Sequence, residues 1–372
     1  MKAFMTILIF AVIYVPALLL FAVTPYITRK TESFGVSIPE EIYYIPEVKK
    51  IRSQYKNRVL LSGGIIAVIS LILDFISSAK STVLFLSIGL FVQLAVMFVF
   101  YIKGHRKMKV LKKSNNWTAN KLQRVVVDTD FRKKRVLVSH WWFLLYVLII
   151  LATVGIGLLM YDKMPDKIPM NYNFNGEVIK WVNKSYKVLI FAPAMQTFIM
   201  FLMMFIYWVI GKAKQQVDAA HPERSIEQNR IFRYRWSAFI VFMGLVLMGV
   251  FGFTQLTIIG VITNVWVITL VPFGFTGAII ITAIILSFKT GQGGSRISIA
   301  RTKSGEAINR DDDKYWKLGI FYYNPDDPAL FVEKRFGVGW TNNFARPMSW
   351  AMIIGFIIIL VLLFVGSMYL TK

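Results

Sequence analysis

The chain has 372 residues, 56% of them hydrophobic and only 17% charged, with a formal net charge of +23 and no cysteine. A soluble domain carries about 25% charged residues, and here the apolar residues come in long uninterrupted runs, so the composition is that of a membrane protein rather than of a large soluble core. The missing cysteines exclude disulfides, zinc–thiolate sites and thiol nucleophiles.

In chain order, eight apolar runs have roughly the 20 residues that cross a ~30 Å hydrocarbon layer. They cover about 4–23, 59–78, 82–102, 141–161, 188–210, 238–256, 267–286 and 350–370. The first has one lysine before it, Pro16 within it and "TPYITRK" after it, and lacks a small-x-small cleavage site; it reads as a retained span, not a signal peptide. In the segment that follows, Pro39 with Glu40 and Glu41 marks one helix start and Pro46 a second. The second run holds Asp74, in "LILDFISS", the one ionisable residue inside a predicted span. An intramembrane carboxylate is a functional candidate; lying four residues from the end of its span, Asp74 has snorkelling to the interface as the alternative. Within the next segment "LQRVVVDTDF" reads as a short strand.

The loop between the fourth and fifth runs is "DKMPDKIPMNYNFNGEVIKWVNKS". Asn175-Gly176 is a strong two-residue hairpin signal. Strands paired around it set Phe174 opposite Glu177, Tyr172 opposite Ile179 and Met170 opposite Trp181. One face then carries Met170, Tyr172, Phe174, Ile179 and Trp181, and a contiguous apolar face on an exposed module suits either self-packing as a lid or a binding partner. Gln93, Gln196 and Gln255 are expected to join helices through hydrogen bonds. Pro193 and Pro272 are expected to kink the fifth and seventh spans.

Between the last two spans a polar linker, "KTGQGGSRISIARTKSGEAINR", leads to "DDDKYWKLGIFYYNPDDPALFVEKRFGVGW". "KYWKLGIFYY" alternates like a strand, "NPDDP" has turn chemistry, and "ALFVEKRF" reads as the return strand. Asp326 and Asp327 then serve turn amides. Trp316, Tyr322, Tyr323 and Trp340 supply an aromatic face for docking a partner or for packing under the spans, and Lys334 and Arg335 supply charge for anionic lipid. Asp311, Asp312 and Asp313 lack the alternate spacing of a calcium loop, and "GQGG" lacks the strand and Lys-Ser/Thr of a phosphate loop. His105, His140 and His221 lie on separate segments, and neither His-Glu-x-x-His nor Gly-x-Ser-x-Gly occurs. No catalytic residue, metal or cofactor is therefore expected.

Thirty-five of the 43 lysines and arginines fall in segments 24–58, 103–140, 211–237 and 287–349, and eight in the others. By the positive-inside rule those four segments are cytoplasmic and both termini are extracellular. Tyr101, Trp141, Trp142, Trp236 and Trp350 sit at inner ends of spans, and Tyr161, Tyr186, Trp266 and Tyr369 at outer ends, as interfacial aromatics should. The bias accounts for the positive charge without nucleic acid, for which the chain has no reader motif.

The outer loop "MPDKIPMNYNFNGEVIKWVNKS" resembles the P-x-x-I-P-x-x-x-x-x-x-G signature of domain of unknown function 1648, found in immunity proteins against the sporulation-delaying toxin. The stretch "DDDKYWKLGIFYYNPDDPALFVEKRFGVGWTNNFARP" is similar to domain of unknown function 5808. The resemblance implies a multi-pass protein of a Gram-positive cell membrane with a sensing or immunity-like role. The immunity proteins have their own C-terminal membrane domain, which is not recognised in this sequence, so immunity and repressor tethering are not expected to transfer directly.

The expected protein is all-α and polytopic, with about eight transmembrane helices, a small outer β-hairpin and a small cytoplasmic β-hairpin module. It divides into a three-span region (1–140), a two-span unit with the outer loop (141–210), a two-span region (211–286), the cytoplasmic linker and module (287–349) and a last span (350–372). It is read as a non-catalytic binding, sensing or immunity-type protein of the bacterial cell membrane, in the lipid bilayer, with an extracellular peptide ligand and a cytoplasmic protein partner. The alternative is a transporter or permease component with a polar path near Asp74; an intramembrane enzyme ranks last. The orientation predicts that a cysteine placed at Asn173 reacts with an impermeant maleimide in whole cells and one at Asp326 does not; the opposite pattern would invert the topology.

Overall fold

A backbone surrounded by lipid must satisfy its polar groups within itself, which leaves an apolar 20-residue run little choice but helix. The computed structural model describes residues 1–78, 81–117, 123–124, 135–173, 175–299, 308–309 and 311–370, with backbone alone at 123–124, 308–309, 367, 369 and 370. Among them are eight helices long and apolar enough to cross a membrane, and the chain is a polytopic membrane protein. They are α1 (Lys2–Ile27), α2 (Pro46–Ile76), α3 (Thr82–Asn115), α4 (Phe143–Leu159), α5 (Tyr186–Lys212), α6 (Pro222–Ile258), α7 (Val265–Thr290) and α8 (Pro347–Leu370).

Prolines open α2, α6 and α8, where a missing N–H costs nothing. In α1 a π turn at Phe10–Tyr14 lies just ahead of Pro16. Pro193 and Pro272 lie inside α5 and α7, each of which continues past its proline as one helix. α2, α3 and α6 are longer than a bilayer needs. The 34 residues of α3 extend about 50 Å at 1.5 Å per residue. α2 begins at Pro46, α3 ends at Asn115 and α6 begins at Pro222, so all three project at the same end, here the module end; the opposite end is the hairpin end.

α1, α2 and α3 pack together, as do α4, α5 and α6; α7 lies against α6 and α1, and α8 touches α5. Polar side chains stitch the spans: Gln93 Nε2 donates to the Gly63 carbonyl (3.0 Å), and Gln196 Nε2 to Thr153 Oγ1 (3.0 Å) and the Met248 carbonyl (3.1 Å).

Among the described residues, five two-stranded sheets decorate the two ends. β1 (Glu32–Ser33) and β2 (Val36–Ser37) form a hairpin after α1. β3 (Gln123–Arg124) pairs in parallel with β6 (Ile308–Asn309), so the predicted strand in "LQRVVVDTDF" is seen at two residues and otherwise lies outside the described residues. β4 (Lys167–Tyr172) and β5 (Val178–Asn183) make the hairpin-end sheet. In the C-terminal module β7 (Trp316–Lys317) pairs with β8 (Phe321–Tyr322), and β9 (Phe331–Glu333) with β10 (Trp340–Asn342). This differs from the expected hairpin. "NPDDP" joins two small hairpins instead of forming the tip of one, because Leu318 and Gly319 turn the chain with positive φ within "KYWKLGIFYY".

The module-end core is organised by a turn. Phe34 and Gly35, both at positive φ, close β1–β2. Such a backbone is costly for phenylalanine, yet the ring is wholly buried, 5.1 Å from Tyr55, 5.9 Å from Phe336 and 6.4 Å from Tyr101. Gly104 on α3 makes room for it; a Cβ there would meet the ring. The Leu318-Gly319 turn lies against the same spot. The Tyr101 hydroxyl donates to the Leu318 carbonyl (2.8 Å), and His105 Nδ1 to the Phe34 carbonyl (2.8 Å). Phe34→Ala should cost about 3–5 kcal/mol and lower the melting temperature in detergent; an unchanged melt would show that the ring is not what holds the two turns together.

Candidate binding surfaces at the two ends of the bundle

At the hairpin end Asn173 decides the loop. Its Oδ1 accepts the amides of Asn175 and Glu177 (2.9 Å each), Gly176 N donates to the Asn173 carbonyl (2.9 Å), and Gly176 takes φ +83. The result is a three-residue loop with a left-handed glycine in place of the expected two-residue turn. Observed partners are Ile168 with Val182, Pro169 with Trp181 and Tyr172 with Val178, with irregularities around Asn171. A one-residue slip turns one strand over. The predicted apolar face is therefore split. Met170 and Tyr172 lie on the side of Ile168 and Val182, which are buried against Met164, Val188, Leu189, Ile258 and Ile259. Ile179 and Trp181 project outward, 65% and 55% exposed. Phe174 lies outside the described residues. Asn175 is exposed, and the Gly176 backbone runs so close to Met1 and Val265 that a Cβ would collide.

Asp74 does not snorkel. It is fully buried near the hairpin end, where its Oδ2 accepts from the Thr6 hydroxyl (2.6 Å) and its Oδ1 lies 4.0 Å from Lys2 Nζ without a hydrogen bond. Lys2 also donates to the Asp74 and Ser77 carbonyls (2.6 Å each), so the start of α1 is tied to the end of α2.

At the module end the eight candidates divide. Trp316 and Tyr322 are buried, their rings 5.0 Å apart, and the Arg335 guanidinium sits 5.0 Å over the Trp316 ring. Trp340 is half-buried against Phe232 (5.4 Å) and below Arg233. Asp327 is buried; it accepts from Lys214 Nζ (2.7 Å), the Tyr322 hydroxyl (2.8 Å) and the Ala329 amide (3.0 Å). Burial alone would raise its pKa, but Lys214 and these donors bring it below the ordinary value. Lys334 is partly buried, and burial lowers its affinity for a proton. Arg335 corrects the sequence reading: it faces no lipid, being buried and paired with Asp312 and Asp313. Of the eight, Tyr323 and Asp326 are the ones left exposed.

The residues that hold this surface together were not among those candidates. Glu333, buried, pairs with Arg29 from the end of α1 and with Arg233 of α6 (3.1 Å), and accepts from Asn229 Nδ2 (2.6 Å). Arg29 donates to Gln216 Oε1 (2.7 Å), and Gln216 Nε2 to buried Glu32 (2.9 Å). Burial raises the Glu32 carboxyl, against the pull of Arg29 and Arg335. Asp313, which burial would raise, is instead held low by Arg335 and Lys112, the latter at 2.6 Å. Asn343, wholly buried, donates to the carbonyls of Asn324 (2.9 Å) and Asp327 (3.1 Å) and accepts the amides of Asn324 and Ala345. Gln292, from the "GQGG" stretch read as linker, forms a two-way pair with the Gly339 backbone (2.7 and 2.9 Å). An acid in a strongly basic segment, as Glu32 and Glu333 are, was the one sequence signal for this network.

The signs of these shifts set an acid limit. Asp313 and Asp327 bind protons less tightly folded than unfolded. Their stabilisation is therefore present above about pH 4, the ordinary value for aspartate, and is lost as pH falls through the lower folded values. Glu32, raised, acts the other way and opposes folding at neutral pH. Trp316 fluorescence should report release of the module below about pH 4, and Asp327→Asn should be looser already at neutral pH with a smaller acid transition. Identical acid profiles in the wild type and the variant would refute this assignment.

No curated protein and no solved structure matches the chain. Two family models do: residues 148–197, which hold the hairpin-end sheet and parts of its two flanking helices, match a domain of unknown function (DUF1648), and residues 325–350, which hold Asp327, Glu333, Arg335 and Asn343, match a family of unknown function (DUF5808).

Proposed function

We propose that the protein is a non-catalytic receptor of the cell membrane, which takes an apolar-faced peptide at the outer hairpin and offers its cytoplasmic module to a protein inside. The observation that carries this reading is the exposed pair Ile179 and Trp181. They stand on a sheet whose other face is pinned to α5 and α6, so a rigid platform presents an indole and a branched aliphatic side chain, good anchors for an interface. The excess of Lys and Arg at the module end supports placing the hairpin end outside. The likeness of the hairpin unit to the immunity-type domain supports a protective or sensing role. On the inner side Tyr323 and Asp326 are the candidates left for contact with a partner, and the remaining basic residues suit anionic lipid.

The transport reading keeps one supporting observation, the buried Asp74 Oδ1 without a hydrogen bond. One experiment separates the two. A photo-crosslinking side chain at position 181 in whole cells, exposed to the peptide fraction of spent medium, should give an adduct of peptide mass that Ile179→Ser abolishes and Asp74→Asn leaves intact. No adduct, together with an altered proton- or cation-dependent phenotype in Asp74→Asn, would favour transport.

A further inference from the structure

Beside the Glu333 network, and sharing Arg29 with it, lies a polar cavity of about 50 Å³ at the module end, lined by Glu40, Asp218, His221, Lys30 and Arg224 among others. Sequence spacing gave no reason to join these residues, since Glu40 follows the β1–β2 hairpin while Asp218 and His221 lie just before α6. Folding brings one carboxylate oxygen of Glu40, one of Asp218 and a ring nitrogen of His221 within 4.8 Å of one another. We propose that Glu40, Asp218 and His221 form a binding site for a divalent first-row transition ion, a site that goes beyond the receptor reading above.

Three features support it. The His221 Nδ1 atom is inaccessible to solvent and makes no hydrogen bond, although Asp218 Oδ2 lies 3.5 Å away. A buried ring nitrogen in a polar cavity normally finds a partner, and a metal ion supplies one. Asp218 is already oriented: its Oδ1 accepts the Ala220 amide (3.2 Å) and its own amide donates to Ser225 Oγ (3.0 Å), which leaves Oδ2 toward the histidine. Support of this kind behind a ligand is what metal sites need. One imidazole and two carboxylates suit Mn²⁺, Fe²⁺ or Zn²⁺; calcium wants six to eight oxygens. Ligands about 2.1 Å from an ion lie within about 4.2 Å of one another, and Glu40 would have to turn from its present partner to serve as one. The contact it gives up is the ion pair with Lys30, at 3.7 Å and half-exposed. Lys30 is thus a built-in competitor, and that gives the proposal a signature no adventitious site would share.

The test uses the purified full-length protein in detergent with Mn²⁺ or Zn²⁺ as probe. Loss of the free Mn²⁺ resonance and calorimetry with Zn²⁺ should show one equivalent bound. Asp218→Asn, His221→Ala and Glu40→Gln should each weaken binding at least about tenfold while melting like the wild type without metal. Lys30→Ala should tighten it. If His221→Ala destabilises the fold, Glu40→Gln, distant in the chain, still decides the matter. Absence of binding, equal binding by wild type and all variants, or stabilisation by inorganic phosphate without metal would overturn the proposal.

Discussion

The carboxylate of Glu333 is the point on which the module end depends. It is withdrawn from water in a strongly basic protein and shared between Arg29, Arg233 and Asn229. Its partners come from two distant parts of the chain, Arg29 from the exit of the first span and Arg233 with Asn229 from the projecting start of the sixth helix, while Glu333 itself lies on a strand of the C-terminal module. Desolvating such charges is costly, and pairing does little more than offset that cost. Removing one partner leaves a buried charge alone, which is severe. The network therefore specifies an arrangement more than it adds stability. The module is tied to the bundle by the Glu333 pairs with Arg29 and Arg233 and by the Arg335 hydrogen bond to the Gly35 carbonyl.

The two strained turns gain meaning from this arrangement. Phe34-Gly35 and Leu318-Gly319 are unfavourable alone, yet their backbones meet over Tyr101 and His105 of α3, where the carbonyls find donors and the Phe34 ring finds a complete aromatic shell. Local strain is tolerated because the surroundings over-determine it. Helices longer than the bilayer requires carry this assembly away from the lipid and give it side walls.

The two ends of the bundle consequently differ in character. At the module end most of the aromatic and charged side chains face each other. At the hairpin end a single sheet rests on the bundle by one face and leaves Ile179 and Trp181 on the other. Recognition by apolar contact suits the hairpin end; polar chemistry suits the cavity beside Glu333, where unpaired donors and acceptors remain.

By itself the sequence determined the class of the molecule, its eight spans, the asymmetry of its basic residues and the kinship of its two marked segments. These properties follow from composition, run length and local motif, and a lipid environment leaves apolar runs one solution. It did not determine which way Ile179 and Trp181 point, because a single side-chain acceptor on Asn173 lengthened the loop and reversed the parity of a strand. Nor did it distinguish Arg29, Arg233 and Arg335 from the many basic residues that simply flank spans. Arginine at the end of a span reads alike whether it meets headgroups or a buried carboxylate, and for Arg29 and Arg233 what separates the two cases is Glu333, about 300 and 100 residues away. Only the tertiary structure supplies that partner, since burial and pairing of charge are properties of juxtaposition, not of any local run of residues.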